Sequence, residues 1–232
     1  MSKKIRFMPM SKDVEASFVA PSTAKSQVPE WYKKSQLYTN GKRDFSRFGI
    51  NKDLKLCIPF LDAMTSGYTI ELPCDVEVIR NDKGFNFFWQ TENHPISLRK
   101  DEVAKELPRP AGHAKQLQAW VIHWATITPP GYSAIFCHPF NRYDLPFTTT
   151  AGIVDTDSYS MGGEVPFFLS SSFSGTIPAG TPIMQVFPFK RESWESETLK
   201  HDQAFISRLS SKVTRVFSGG YAKLFWKKKS YR

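Results

Sequence analysis

Two phrases in this sequence have residue types and spacing that could do chemistry. One is Ala-Gly-Ile-Val-Asp-Thr-Asp at 151–157; the other is Ile-Pro-Ala-Gly-Thr-Pro-Ile-Met-Gln-Val at 177–186. A carboxylate such as Asp155 can order a water molecule and take its proton. The same Asp-Thr-Asp run can instead be a hairpin turn, because an aspartate side chain bonds its own backbone. His123 and His138 could join Asp155 and Asp157 at one end of a barrel as a facial metal set of two histidines and a carboxylate. The usual H-x-D spacing is absent. Cys57, Cys74 and Cys137 are odd in number and widely spaced, with no CxxC and no Cys/His pairing at zinc spacing, so they read as free thiols. No G-x-S-x-G is present, which removes the usual serine-nucleophile reading.

These phrases sit in residues 128–189, where short apolar runs are separated by Pro, Gly, Asn and Asp. That is how a compact antiparallel β unit is written. The 19 Phe, and hydrophobic residues at 41%, argue against a disordered chain and for sheets. Residues 118–128 form the strongest predicted strand, with Trp120, Ile122 and Trp124 on one face and Ala119, Val121, His123 and Ala125 on the other. Upstream, Pro59 opens a short helix at 60–64 and Gly67 ends it. Runs at 68–72, 76–80 and 85–90 are strands, the last two joined by a turn at Asn81-Asp82-Lys83-Gly84. Residues 91–117 are polar, with Pro95, Pro108 and Pro110. They read as a long insertion loop with a helical turn at 101–106.

Residues 1–50 read as an extended N-terminal arm with one short strand at 4–8, kept extended by Pro21 and Pro29. Just within this stretch, Trp31 and Tyr32 stand beside Lys33 and Lys34, either as a partner-docking contact or as a plug holding the arm on the body. Residues 51–190 are the β core. Residues 191–232 are a C-terminal helix and basic tail: at 192–217, Leu199, Ile206, Leu209, Val213 and Val216 fall at helical spacing, with acids first and cations last. Gly219-Gly220 stops that helix.

The net charge is +9, from 31 Lys and Arg against 22 Asp and Glu. Part of the excess lies at the ends: Lys3, Lys4 and Arg6, then Lys227, Lys228, Lys229 and Arg232. Such clusters can contact DNA; without a basic helix or an RNA-type aromatic motif, solvated tails are the plainer reading. The N-terminus lacks the apolar region of a secretory signal, and no apolar run approaches the roughly 20 residues that span a bilayer. The expectation is a soluble protein made in a cytoplasm, without a membrane partner.

Thr128-Pro129-Pro130-Gly131-Tyr132, Thr150-Ala151-Gly152-Ile153-Val154-Asp155 and Ile177-Pro178-Ala179-Gly180-Thr181-Pro182-Ile183-Met184-Gln185 together resemble the dUTPase and dCTP deaminase family, with its "PPGY", "TAGxID" and "GxxIAQ" motifs. Ser66-Gly67-Tyr68-Thr69-Ile70 falls where that family has "AGxD". The resemblance covers roughly residues 66–189. It implies a β-clip fold, a small distorted jelly roll, assembled as a homotrimer. It also implies that Asp155 would order an attacking water and meet a sugar hydroxyl. Arg142 and Gln185 would bind a nucleotide at a subunit interface, and Mg²⁺ would be the cofactor. The sequence departs from the family at Cys137-His138-Pro139-Phe140-Asn141-Arg142, where the Arg-Ser phosphate pair is missing, and at Thr69, where the family has Asp. Ser218-Gly219-Gly220 is a short echo of a Gly-rich arm, and Glu164 followed by Val165 and Pro166 does not match the deaminase acid.

The whole chain, through Pro29-Glu30-Trp31-Tyr32-Lys33-Lys34 and the stretches at 57–68 and 138–147, also looks like proteins of tailed phages and bacteria. That likeness implies no activity. Two readings follow. The first is a non-enzymatic assembly protein without a cofactor, made in host cytoplasm, trimeric, and docked on neighbouring virion proteins. The alternative is a nucleotide-binding protein or divergent dUTP/dCTP-type hydrolase using Asp155, Arg142 and Gln185.

Overall fold

The computed structural model describes residues 3–46, 49–82, 84–100, 103–104, 106–216 and 219–232. The chain is mainly β, and every named strand pairing among the described residues is antiparallel. With strands numbered in chain order, the largest sheet runs β13 (Gly152–Val154), β11 (Tyr132–Cys137), β16 (Pro182–Lys190), β5 (Tyr68–Glu71) and β2 (Ser22–Thr23). A second runs β12 (Phe147–Thr149), β14 (Gly163–Ser170), β9 (His113–Ile122) and β8 (Ile96–Ser97). A third joins β15 (Gly175–Ile177), β6 (Val76–Asn81) and β7 (Gly84–Phe88). Two ribbons complete the set: β1 (Arg6–Pro9) with β10 (Trp124–Ile127), and β3 (Phe45–Ser46) with β4 (Gly49–Ile50).

Aromatic and β-branched side chains from the three sheets meet in one core that includes Ile70, Val78, Trp120, Phe136, Phe167 and Met184. At its centre the Trp120 ring stacks on Phe167, centroids 3.8 Å apart, with Phe147 edge-on at 4.9 Å. A buried indole N–H needs an acceptor. Trp120 Nε1–H donates to Thr149 Oγ1 at 3.0 Å, and the Thr149 hydroxyl donates to the Ile183 carbonyl at 2.6 Å. Since β9 and β12 belong to the second sheet and β16 to the first, this relay ties two sheets through the core.

The strand expected at 118–128 is two strands. β9 stays paired with β14 as far as Ile122, whereas β10 leaves to pair with β1, and the His123 carbonyl between them accepts from Met10 N–H at 3.0 Å. The expected 91–117 loop is shorter, because β8 lies inside it and β9 begins at His113. Leu117 and Gln118 are buried opposite Phe168 and Phe167, which draws that end into the sheet. Of the helical turn expected at 101–106, residues 101, 102 and 105 lie outside the described residues, and Ala104, at φ 56°, is in a turn and not a helix. Lys83 of the 81–84 turn also lies outside them, although β6 and β7 pair in register up to Asn81 and Gly84.

The N-terminal stretch is not an extended arm. β1 pairs with β10 and β2 with β5. Between them α1 (Lys12–Ser17), whose N-cap Ser11 accepts from Val14 N–H at 3.2 Å, buries Val14. The pairing satisfies backbone groups that an exposed arm would leave to water. α2 (Glu30–Lys34) follows. α3 (Ile58–Thr65) has Pro59 in its first turn, as expected. Gly67 then takes φ +75°, and a Cβ there would lie 2.4 Å from the Val186 carbonyl, so only glycine lets β5 start this close to β16.

The C-terminal helix is shorter than the spacing at 192–217 predicts. α4 (Gln203–Thr214) begins at Asp202, whose side chain accepts from Phe205 N–H at 2.9 Å, and α5 (Gly220–Leu224) follows. Residues 192–202 have no regular structure and are exposed. The Asp202 cap fixes where the helix begins. Among the described residues no helix is long and apolar enough to cross a membrane.

Trp120→Ala should destabilise the fold by about 3–5 kcal/mol in urea unfolding at unchanged m-value. Thr149→Val, which keeps the shape but strands the indole N–H, should cost about 1–3 kcal/mol. A Trp120→Ala cost below that of Thr149→Val would contradict the placement of Trp120 at the centre.

Candidate functional site

The loop from Cys137 to Asp144 occupies the place where the resemblance puts phosphate recognition. In the fold it is wired inward. His138 Nε2 bonds the Arg142 carbonyl at 3.1 Å, and its Nδ1 accepts from Thr149 N–H at 3.3 Å. Those partners require a neutral ring protonated at Nε2, and burial holds the His138 imidazole below the ordinary histidine range. The Arg142 guanidinium, nearly buried, donates to Asp144 at 2.9 and 3.0 Å and to the Gln27 carbonyl at 3.4 Å, clamping the N-terminal segment to the body.

Gln185 is buried, and its amide is fully used. Its Oε1 accepts from Phe140 N–H at 2.8 Å, and its Nε2 donates to the Ala63 and Ser66 carbonyls. It fastens β16 to the end of α3 and to the 137–144 loop. Arg142 and Gln185 do line one cavity, but it holds only about 10 Å³, room for no more than a water. Both side chains bond groups of this chain.

Asp155 lies elsewhere. β13 pairs with β11 at its Ala134 end, whereas Gln185 pairs with Cys137 at the other, so most of β11 separates the two, about 13 Å at strand rise. The Asp155 carboxylate is 62% exposed and accepts from Ser133 Oγ at 2.6 Å. It does not bond its own backbone; its carbonyl does, taking the N–H groups of Ser158 and Tyr159 at 3.0 and 2.8 Å. The residue is therefore a turn residue through its backbone, with a side chain still presented to solvent.

Its neighbour Asp157 does different work. The almost covered carboxylate takes a forked pair from Arg191 and the Gly131 N–H at 2.8 Å. Bidentate guanidinium–carboxylate pairs are among the stronger and more directional polar contacts. Arg191 together with the Gly131 N–H holds the Asp157 carboxyl well below the usual carboxylate range. Arg191 also reaches the Tyr132 carbonyl at 3.1 Å, Ser133 Oγ at 3.0 Å and the Asp155 carboxylate at 3.4 Å. Sequence reading did not single out Arg191; its signal was its place one residue after the last long apolar run.

Arg191 is where the chain leaves the sheet. From there it runs exposed through 192–202, forms α4 and α5, and returns at Trp226 and Lys229, which both bond Asp62 Oδ2, at 2.8 and 2.6 Å. Tyr231 then packs edge-on against Tyr68 at 5.8 Å. The excursion is pinned at both ends, yet α4 buries none of its residues. Phe205, Ile206, Leu209 and Val213 lie along one side, 54%, 45%, 42% and 41% exposed. Apolar side chains at this spacing normally face a core. Here they face solvent.

Tyr32 is buried, stacked on Phe60 at 6.0 Å, with its hydroxyl donating to the Lys55 carbonyl at 3.2 Å. It anchors the N-terminal segment to this chain's own α3. Trp31 packs edge-on against Tyr32 and Phe60 but stays part-exposed. The expected metal set does not assemble: His123 Nε2 bonds the His94 carbonyl at 2.9 Å, and both His138 nitrogens are engaged. Among the described residues no three His, Cys, Asp or Glu side chains are grouped to hold a metal ion. Of the phrase glycines, Gly180 takes φ +78° and its N–H closes a corner on the Leu72 carbonyl at 2.8 Å, while Gly152 sits in open space with no unusual φ.

No protein-family model matches this chain, and no curated protein matches it.

Because the folded-state pKa of His138 is lowered, the unfolded chain binds the extra proton first. Stability should fall as pH drops below the ordinary histidine value of about 6.5. Urea unfolding at pH 7 and pH 5 should show this loss, and His138→Asn should shrink it; an unchanged slope would refute the neutral-ring assignment. Arg191→Ala, which leaves the covered Asp157 carboxylate without its forked partner, should lower stability in urea unfolding and speed limited proteolysis within 191–202.

Proposed function

We propose that this protein is a non-enzymatic assembly component, built on a dUTPase-like β-clip trimer and incorporated in a phage particle. The observation that carries this reading is α4, a pinned helix with four exposed apolar side chains in a row. A chain that stays monomeric gains nothing from presenting such a stripe to water, and patches of this kind mark interaction sites. The inward wiring of Arg142 and Gln185 supports the same reading, since triphosphate chemistry depends on positioning phosphates with free donors. The β-clip assignment rests on the motif order and on many short antiparallel strands with tight Pro/Gly corners.

Leu209→Asp should abolish self-association or particle incorporation, read by light scattering, while the melting temperature stays within about 1–2 °C of the parent, because α4 adds nothing to the core. Unaltered assembly with this variant would sink the proposal.

One observation favours a second reading. The Asp155 carboxylate is exposed and oriented by Ser133, and its chain neighbours Val154 and Thr156 line a pocket of about 230 Å³ with Tyr159 and Met161. Thr126 Oγ1 is buried in that lining without a partner. If the chain hydrolyses deoxynucleoside triphosphates with Mg²⁺, pyrophosphate release should appear and Asp155→Asn should reduce it about 100-fold or more. Absence of turnover with every nucleotide removes this reading.

A further inference from the structure

We propose that the apolar face of α4 docks on the acidic and aromatic face around Trp89 of a second copy of this chain. The inference rests on the assembly reading above and names its partner surface.

The donor side is defined by charge as well as apolarity. Eight of the 31 Lys and Arg, and none of the 22 Asp and Glu, lie in residues 203–232, so this segment carries +8 of the net +9. Among the described residues Arg208, Lys212 and Lys223 take part in no ion pair. The stripe from Phe205 to Val213 is about 12 Å long at helical rise, flanked only by cations and small polar residues.

The receiving side has the opposite character. Trp89 separates two open grooves of about 510 and 550 Å³. Asp75, Glu77 and Phe88 line one, and Glu92, Leu98 and Glu164 the other; Glu164 is already paired with Arg99 at 3.0 Å, so Asp75, Glu77 and Glu92 supply the negative charge. Phe88 and Leu98 are exposed. Glu77 sits opposite Phe88 on the β6–β7 pair, and among the described residues neither Glu77 nor Glu92 is in an ion pair. Apolar anchors at the centre with opposite charges around them is the arrangement of a specific interface.

Charge complementarity favours this occupant over nucleic acid. Phosphates would satisfy the cations but leave Phe205, Ile206, Leu209 and Val213 uncovered, and would leave the acidic face without a partner. A helix of one copy seated on the body of the next is a heterologous contact, which closes into a ring when the rotation allows. A cyclic trimer is such a ring.

The test uses the full chain. Sedimentation would measure the association constant of the parent, Leu209→Asp, Phe88→Asp, the pair Arg208→Glu/Lys212→Glu, and that pair combined with Glu77→Lys/Glu92→Lys. All substituted positions are exposed, and circular dichroism would check that each variant folds. The expected result is a dissociation constant raised at least about tenfold by each of the first three, with recovery in the charge-swapped combination and weakening at high salt. Loss with Leu209→Asp but none with Phe88→Asp, and no charge-swap recovery, would overturn this docking surface and leave the assembly reading standing. No effect of Leu209→Asp would overturn both. A parent that is monomeric at every concentration, yet binds anionic phosphatidylserine vesicles or a DNA duplex through α4, would assign the helix to that surface and refute the second-copy contact.

Discussion

The relay from the Trp120 indole through the Thr149 hydroxyl to the Ile183 carbonyl is the constraint on which the rest of this structure depends. Each member is buried, so each unmade bond would cost free energy with no water to compensate. The relay fixes how β9 and β12 lie against β16, and with that the packing of Phe147 and Phe167 on the indole. It also extends outward. The Thr149 N–H meets His138, His138 meets the Arg142 carbonyl, and Arg142 holds Gln27 and Asp144.

That continuity explains why the 137–144 loop is wired inward. A phosphate-binding arginine has to keep donors facing an open, wet cavity until the ligand arrives. Arg142 turns its guanidinium to Asp144 and the Gln27 carbonyl, and Gln185 spends its amide on α3 and Phe140. The N-terminal segment is thereby part of the body, with Tyr32 and Val14 among its buried side chains.

The C-terminus follows the opposite logic. Two aspartates, Asp157 and Asp62, hold its ends, and the helix between them remains unpacked. Ionic pins of this kind add little to stability where they are exposed, but they restrict where the excursion can point. A helix presented in one orientation loses less entropy on docking than a free tail. Residues 203–232 carry +8 of the net +9, with Arg208 and Lys212 on the helix beside the apolar stripe and the other cations after it.

Much of the fold was legible from residue order. The alternation at 118–122, the turn near Gly84, Pro59 at a helix start and Gly67 at its end all depend on neighbours a few residues away, where backbone preference and local hydrogen bonding decide. What the sequence alone could not settle were the long-range choices. β10 parts from β9 at His123 because β1, more than a hundred residues earlier, offers a better edge. Arg142 and Gln185 turn inward because Gln27, Asp144, Ala63 and Phe140 are there to receive them. Which donors are consumed and which stripe stays bare depends on contacts between distant segments, and only the tertiary structure brings those together.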